Sequence, residues 1–225
     1  LGAGHLADIW FAAFRLPNLF RRIFGEGAFN AAFVPLYSRK LEEDGNTAAD
    51  DFGSRVTSLM LIVLVACFGL CFIFMEPIVR VITTGFEGNK FDLAVKVSRI
   101  TIGYLIFVCL MAALSGILNS RRIFAAPTFA YVLLNFVFIG GMILFLPEAF
   151  GWGKMETPKA PYTSTEPISE ADQESGKFVA FSERQAQAIE ILGWCVLTAG
   201  VLQLAVMLVA AYRSGARFRF HLPKQ

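Results

Sequence analysis

Charge is scarce in this chain. Only 17% of its 225 residues are Asp, Glu, Lys or Arg, against about a quarter in an ordinary soluble domain. Four stretches hold none at all: 56–75, 100–120, 123–147 and 191–212. A soluble core helix of that length would show a polar face, so their number excludes a soluble globular reading. The net charge is only +2, and no basic tract carries interleaved aromatics, which excludes a nucleic-acid partner. Histidine is limited to His5 and His221, at opposite ends, and neither is given a metal role. The four cysteines, Cys67, Cys71, Cys109 and Cys195, all sit in apolar stretches. Cys67 and Cys71 are one helical turn apart, a poor spacing for a disulfide and at best half of a zinc site, so all four read as small buried apolar residues. No nucleophile–base pair, phosphate loop or metal-spaced cluster appears. The sequence therefore predicts neither an enzyme nor a cofactor.

What is present is apolar length. Hydrophobic residues make up 56% of the chain, and each uncharged stretch is about 20 residues or longer, enough to cross roughly 30 Å of hydrocarbon as a helix. The predicted fold class is all-α, a polytopic membrane bundle with about five membrane segments at 6–36, 56–82, 93–118, 123–147 and 188–212. Positive charge orients them. Arg39, Lys40 and Arg55 flank the first connection, Arg121 and Arg122 fill the third, and Arg213, Arg217, Arg219 and Lys224 follow the last. The turn 83–92 contributes only Lys90, and the long loop 148–187 is acidic overall, with Pro158, Pro161 and Pro167 among many Ser, Thr and Glu. The positive-inside rule places the first, third and last connections in the cytoplasm. Residue Leu1 then starts on the outer face. The expectation is a piece whose first helix, and whatever follows Gln225, lie outside this sequence.

The first segment is the unusual one. It is apolar yet carries Asp8, Arg15, Arg21, Arg22 and Glu26, with a kink expected near Leu16-Pro17-Asn18, where proline removes a backbone donor. At 100° per residue, Asp8, Arg15, Asn18, Arg22 and Glu26 share roughly one 80° sector, while Arg21 points elsewhere. Glu26 follows Arg22 by four residues and can neutralise it. Two readings fit. The stripe lines a cavity for a phosphate-bearing substrate, which arginine forks match; or the arginines mark a membrane boundary and snorkel to headgroups. Asn119, Asn135 and Gln203 read as bonds between helices. Pro127 and Gly140-Gly141 read as places for bending or close approach.

The run from Ala7 to Phe29, with Asp8, Leu16-Pro17-Asn18, Arg21-Arg22 and Glu26-Gly27-Ala28-Phe29, resembles the second helix of the MurJ/MviN family, and Ala32-Phe33-Val34-Pro35 continues the match. Softer likenesses follow at Gly116-Ile117-Leu118-Asn119, Leu133-Leu134-Asn135 and Gly200-Val201-Leu202-Gln203-Leu204. The resemblance implies the multidrug/oligosaccharidyl-lipid/polysaccharide exporter superfamily, a two-lobed bundle in the bacterial inner membrane that alternates access around a cationic cavity. It implies lipid II as the substrate, carried to the outer leaflet for peptidoglycan synthesis. Membrane lipids and the wall-synthesis machinery are the other implied partners. By resemblance Asp8, Arg21 and Glu26 occupy the polar positions of the motif, with Arg21 the cavity candidate where the helical count prefers Arg22. Gly25 stands where alanine is usual, and the loop after Pro147 is longer and more acidic than the pattern. A related exporter of another polysaccharide-linked lipid or of drugs, and a non-transporting scaffold for wall synthesis, are the competing readings.

Overall fold

The computed structural model describes residues 5–26, 28–145 and 183–216; the side chains of residues 5, 25, 26, 28 and 183–185 lie outside the described set. Most of the predicted loop 148–187 falls outside it too. Among the described residues the chain is helical throughout: α1 (His5–Phe20), a π-helical turn (Arg21–Glu26), α2 (Ala28–Glu43), α3 (Gly45–Ile73), α4 (Met75–Ile82), α5 (Gly88–Thr101), α6 (Tyr104–Ser120), α7 (Ala125–Phe145) and α8 (Glu183–Arg213). Four stretches are long and apolar enough to cross a membrane: α3, α5 with α6, α7, and the bulk of α8. The charged first segment is built instead from α1, the π turn and α2.

The pair α5–α6 is the axis of the bundle. Its apolar window is 72% buried, against 6% for α7. Leu105, Val108, Cys109, Met111, Leu114 and Leu118 are enclosed within it by α1, α3 and α8. Cys71 and Cys195 are buried as well. Large apolar side chains cover the outside, among them Phe136, Leu144, Ile73 and Val209. In water such a surface would be an aggregation hazard; against lipid it is the ordinary exterior.

Because lipid is as apolar as leucine, close contact rather than water exclusion holds such helices together. The interfaces carry small residues accordingly. A Cβ at Gly200 would lie 2.7 Å from Tyr104 Cδ2 and 3.0 Å from Phe107 Cβ, so α8 meets α6 backbone to ring. Gly103, at the α5–α6 junction, admits Leu197 of α8 at 2.9 Å in the same sense. Along α8 the buried face runs Ala186, Ile189, Gly193, Val196, Gly200, Gln203 and Met207, steps of three and four that make a continuous seam. Gln203 donates to the Ala130 carbonyl of α7 at 2.8 Å and accepts from the Tyr104 hydroxyl at 3.4 Å. It thus bonds three helices, as its buried amide requires. Asn119 instead donates to Ser115 within its own helix, and Asn135 is exposed on α7.

Two local expectations need correction. The chain stays α-helical through Pro17, and the irregular turn comes later, at Arg21–Glu26. Pro17 cannot donate to the Ala13 carbonyl, but the Thr101 hydroxyl of α5 does so at 3.1 Å, and the helix survives its proline because a neighbour answers the freed group. Lys90 is not a loop residue: α5 begins at Gly88, and Lys90 is buried in its first turn.

Replacing Gly200 with alanine should lower thermal stability by about 1–3 kcal/mol through overpacking. The matched change Gly140→Ala, where a Cβ meets open space, should be neutral or stabilising by up to about 1 kcal/mol. Thermal unfolding of the purified protein in detergent checks both.

Candidate functional site

The polar stripe of the first segment begins with α1. Its buried side carries Ile9, Ala12, Ala13 and Pro17, which pack on α5, and its opposite side carries Asp8, Phe11, Arg15, Asn18 and Arg22, all exposed. The structure therefore places Asp8, Arg15, Asn18 and Arg22 on one open face, strung along the segment rather than gathered at one point. Fourteen residues of helix separate the first from the last, about 21 Å.

Each end of this face is tied differently. Asp8 meets Lys90 of α5 at 3.0 Å, and the same ammonium lies 4.0 Å above the Phe86 ring. Lys90 is largely enclosed while Asp8 stays half open, so the pair anchors the N-terminal end of the stripe and leaves one carboxylate edge accessible. Arg15 donates to the Ile82 carbonyl at 2.8 Å, closing the last turn of α4 with a cation, the sign a helix C-terminus favours. Asn18 and Arg22 stand on the open face. Arg21 is half-buried and turned toward the lobe interior, near enough to Tyr104 for its charge to act there. The two arginines thus part at the π turn, one toward the bundle and one toward the face. Arg22 lies on the face that the count at 100° per residue gave it, and Arg21, the member that the family resemblance prefers, lies off that face. The predicted role of Glu26 concerns a side chain outside the described residues.

A second polar cluster, not predicted, closes the opposite end of the bundle. Arg121 forms an ion pair with Asp50 of α3, donates to the Tyr37 hydroxyl of α2 at 3.0 Å, and donates to the Ser214 carbonyl after α8 at 3.2 Å. Tyr37 in turn lies 3.3 Å from Asp50. The side chains of Arg121 and Asp50 are only 8% and 10% exposed. Burial outweighs the opposing pull of Arg121 and holds the Tyr37 hydroxyl above its ordinary pKa, so it keeps a proton for Asp50. Two helix caps set the geometry. Arg122 takes the left-handed conformation, φ 62°, with Ile123 N–H bonded to Leu118 and Arg122 N–H to Asn119. Gly215, φ 80°, repeats the arrangement after α8, with Ala216 bonded to Ala211 and Gly215 to Tyr212. The first cap turns Arg121 inward; the second leaves the Ser214 carbonyl free to receive it. The sequence reading took Arg121 only as a topology marker, because its partners lie 71, 84 and 93 positions away.

With this geometry in hand, likeness to known proteins is informative. Residues 1–224 match the family described as Lipid II flippase MurJ. A probable lipid II flippase MurJ of Rhizobium tropici is 35% identical over the whole of this chain and 36% of its own length. One of Rickettsia prowazekii is 43% identical over 60% of this chain and 27% of its own. A solved lipid II flippase MurJ in an inward closed conformation aligns with TM-score 0.63 and 24% identity, over 98% of this chain and 38% of that one, and shares the fold. The chain spans about a third of the length of the relatives that cover it.

Arg121→Ala should destabilise by about 3–5 kcal/mol, since it strands a buried carboxylate. The double change Arg121→Met/Asp50→Leu removes both charges and should recover most of that loss. Melting curves of the three proteins in detergent check this, and a double variant no better than Arg121→Ala would overturn it.

Proposed function

The chain belongs to the lipid II flippase MurJ family, and from that premise we propose that its polar face is one wall of the path by which lipid II passes from the inner to the outer leaflet of the bacterial inner membrane. The multi-pass membrane character is common to the fold and the family. The single observation that carries the reading is the exposure of Asp8, Arg15, Asn18 and Arg22 on one side of a membrane segment. An arginine left against lipid costs up to about 2.5–3.5 kcal/mol even on the lenient insertion scale, and less toward the membrane surface. Water in a central cavity, or an anionic substrate, removes that cost.

The chemistry suits a pyrophosphate headgroup. Guanidinium groups stay charged at any physiological pH and present paired donors to phosphate oxygens. Arg22 is the member placed to reach such a group directly. Arg21, turned inward, supports the π turn and the potential around it. Asp8 and Lys90 fasten the outer end, and their exchange of partners would accompany opening on that side. The prenyl tail has no need to enter this path, because the apolar exterior lets it stay in the membrane while the headgroup crosses. Rocking of this lobe against a second one would alternate access. The protein is read as a transporter, with no covalent step assigned to any residue.

The test uses the whole reading frame in its own host. Replacing both Arg21 and Arg22 with alanine should abolish support of growth at normal expression, with surface-exposed lipid II falling and the inner-leaflet pool rising. Unchanged pools in a host without a second flippase would refute the reading. Single cysteines at Phe11, Asn18 and Arg22, in a background without other cysteines, should react with a water-soluble maleimide. Complete protection at all three would favour the scaffold alternative, in which the face packs against partner helices.

A further inference from the structure

A groove of about 810 Å³ opens on the other side of α5 from α1, between α4, α5, α8 and the end of α3. On α5 Lys90 and Thr101 bond to α1, with the buried Ala94 and Val97 on the same side, whereas Asp92, Lys96 and Arg99 line the groove together with Phe91, Val95 and Ile100. At 100° per residue the two sets are about half a turn apart. The groove and the polar stripe therefore lie on opposite sides of the α1–α5 layer, and the groove is not part of the proposed substrate path.

Its depth follows from three independent counts. Twenty residues of helix cover about 30 Å of hydrocarbon. Starting from the inner-side arginines, that length reaches about residue 75 from Arg55, about residue 100 from Arg121, and about residue 193 from Arg213. These counts shorten the expected segments 56–82, 93–118 and 188–212 at their outer ends, so Glu76, Arg80, Lys96, Arg99 and Glu190 sit just above the outer boundary, and Trp194 sits at it, the level membrane tryptophans prefer. Phe68, Phe72, Ile100 and Leu197 form the floor below. The mouth is charged and the floor apolar, in the order in which a lipid presents its headgroup and chains.

The sign of the mouth selects the headgroup. Arg80, Lys96 and Arg99 face Glu76, Asp92 and Glu190, three cations and three carboxylates with no net charge. Lys96 meets Glu190 at 2.6 Å and Arg99 meets Glu76 at 3.0 Å, while Arg80 lies 5.1 Å over the Phe91 ring. Lys96 and Glu76 are more than half exposed, and ion pairs that open are worth at most about 1 kcal/mol. A ligand carrying both signs can exchange for them. A purely anionic headgroup gains from the cations and loses to the carboxylates.

We propose that this groove is an outer-leaflet binding site for a zwitterionic phospholipid, with its phosphate on Arg99 and Arg80, its ammonium on the carboxylate rim, and its chains over Phe68, Phe72 and Trp194. The inference rests on membrane placement alone and stands or falls separately from the identity of the transported substrate.

Trp194 is the natural reporter. The full-length protein, with Trp10, Trp152 and any tryptophan outside this sequence changed to phenylalanine, is placed in nanodiscs of mixed composition. Quenching of Trp194 is then followed against phosphatidylethanolamine or phosphatidylglycerol brominated at the same chain position. Phosphatidylethanolamine should quench at roughly two- to fivefold lower mole fraction, the range that one or two exposed ion pairs support. Glu76→Gln with Glu190→Gln, which removes the carboxylates that receive the ammonium and repel the anionic headgroup, should abolish that preference. Equal quenching by both lipids in the unaltered groove would overturn the proposal even if the double variant failed to fold. Absence of quenching by either would overturn it too, because the groove would then be covered by protein.

Discussion

The Ala13 carbonyl is left without a helical donor by Pro17 and is answered from another helix by Thr101. That small repair shows the constraint on which the whole lobe depends. In hydrocarbon there is no water to complete an unfinished hydrogen bond, so each polar group must find its partner inside the protein. Gln203 does this between α8, α7 and α6, and Arg121 does it between four elements at one end of the bundle. The cross-helix joints occur where a polar atom would otherwise be stranded. Between the joints, glycines set against rings let the helices touch, and dispersion does the rest.

The two ends of the lobe differ in how they are fastened. At the Arg121 end a buried arginine binds a carboxylate, a phenol and a helix carbonyl, an arrangement whose dismantling exposes several groups at once. At the Lys90 end Asp8–Lys90, Arg99–Glu76 and Lys96–Glu190 are partly or largely open to solvent, where an ion pair contributes little. The Arg121 end is therefore the more firmly fastened of the two. This polarity follows from where the charges sit in depth, because the same pair is worth more when water is excluded from it.

The apolar spans and the common face of the polar stripe were legible in the sequence because each is a local pattern. Periodicity put Asp8, Arg15, Asn18 and Arg22 on a common face, and that face is open. The π turn at Arg21–Glu26 was not legible, because such a turn has no strong sequence signature. Lys90 was read as a loop cation because the helix start at Gly88 lies within a stretch of turn-forming residues. The Arg121–Asp50–Tyr37 cluster escaped for a different reason: its members are far apart in sequence, and each alone is an unremarkable polar residue near a membrane boundary. Local chemistry predicts faces well, but partners at long range come only from the packing.

The continuous column of α5 and α6 runs from Gly88 to Ser120, 33 residues, or about 50 Å, which exceeds the hydrocarbon by roughly 20 Å. Its foot is clamped by Arg121 and its head lies beside Lys90 and the groove. Such a column is a lever with a fixed fulcrum. A tilt of about 5° at the foot would sweep the head through about 4 Å over that length, comparable to the width of a side chain. Small changes at the Arg121 clamp are thus delivered, magnified, to the far end of the column beside Lys90.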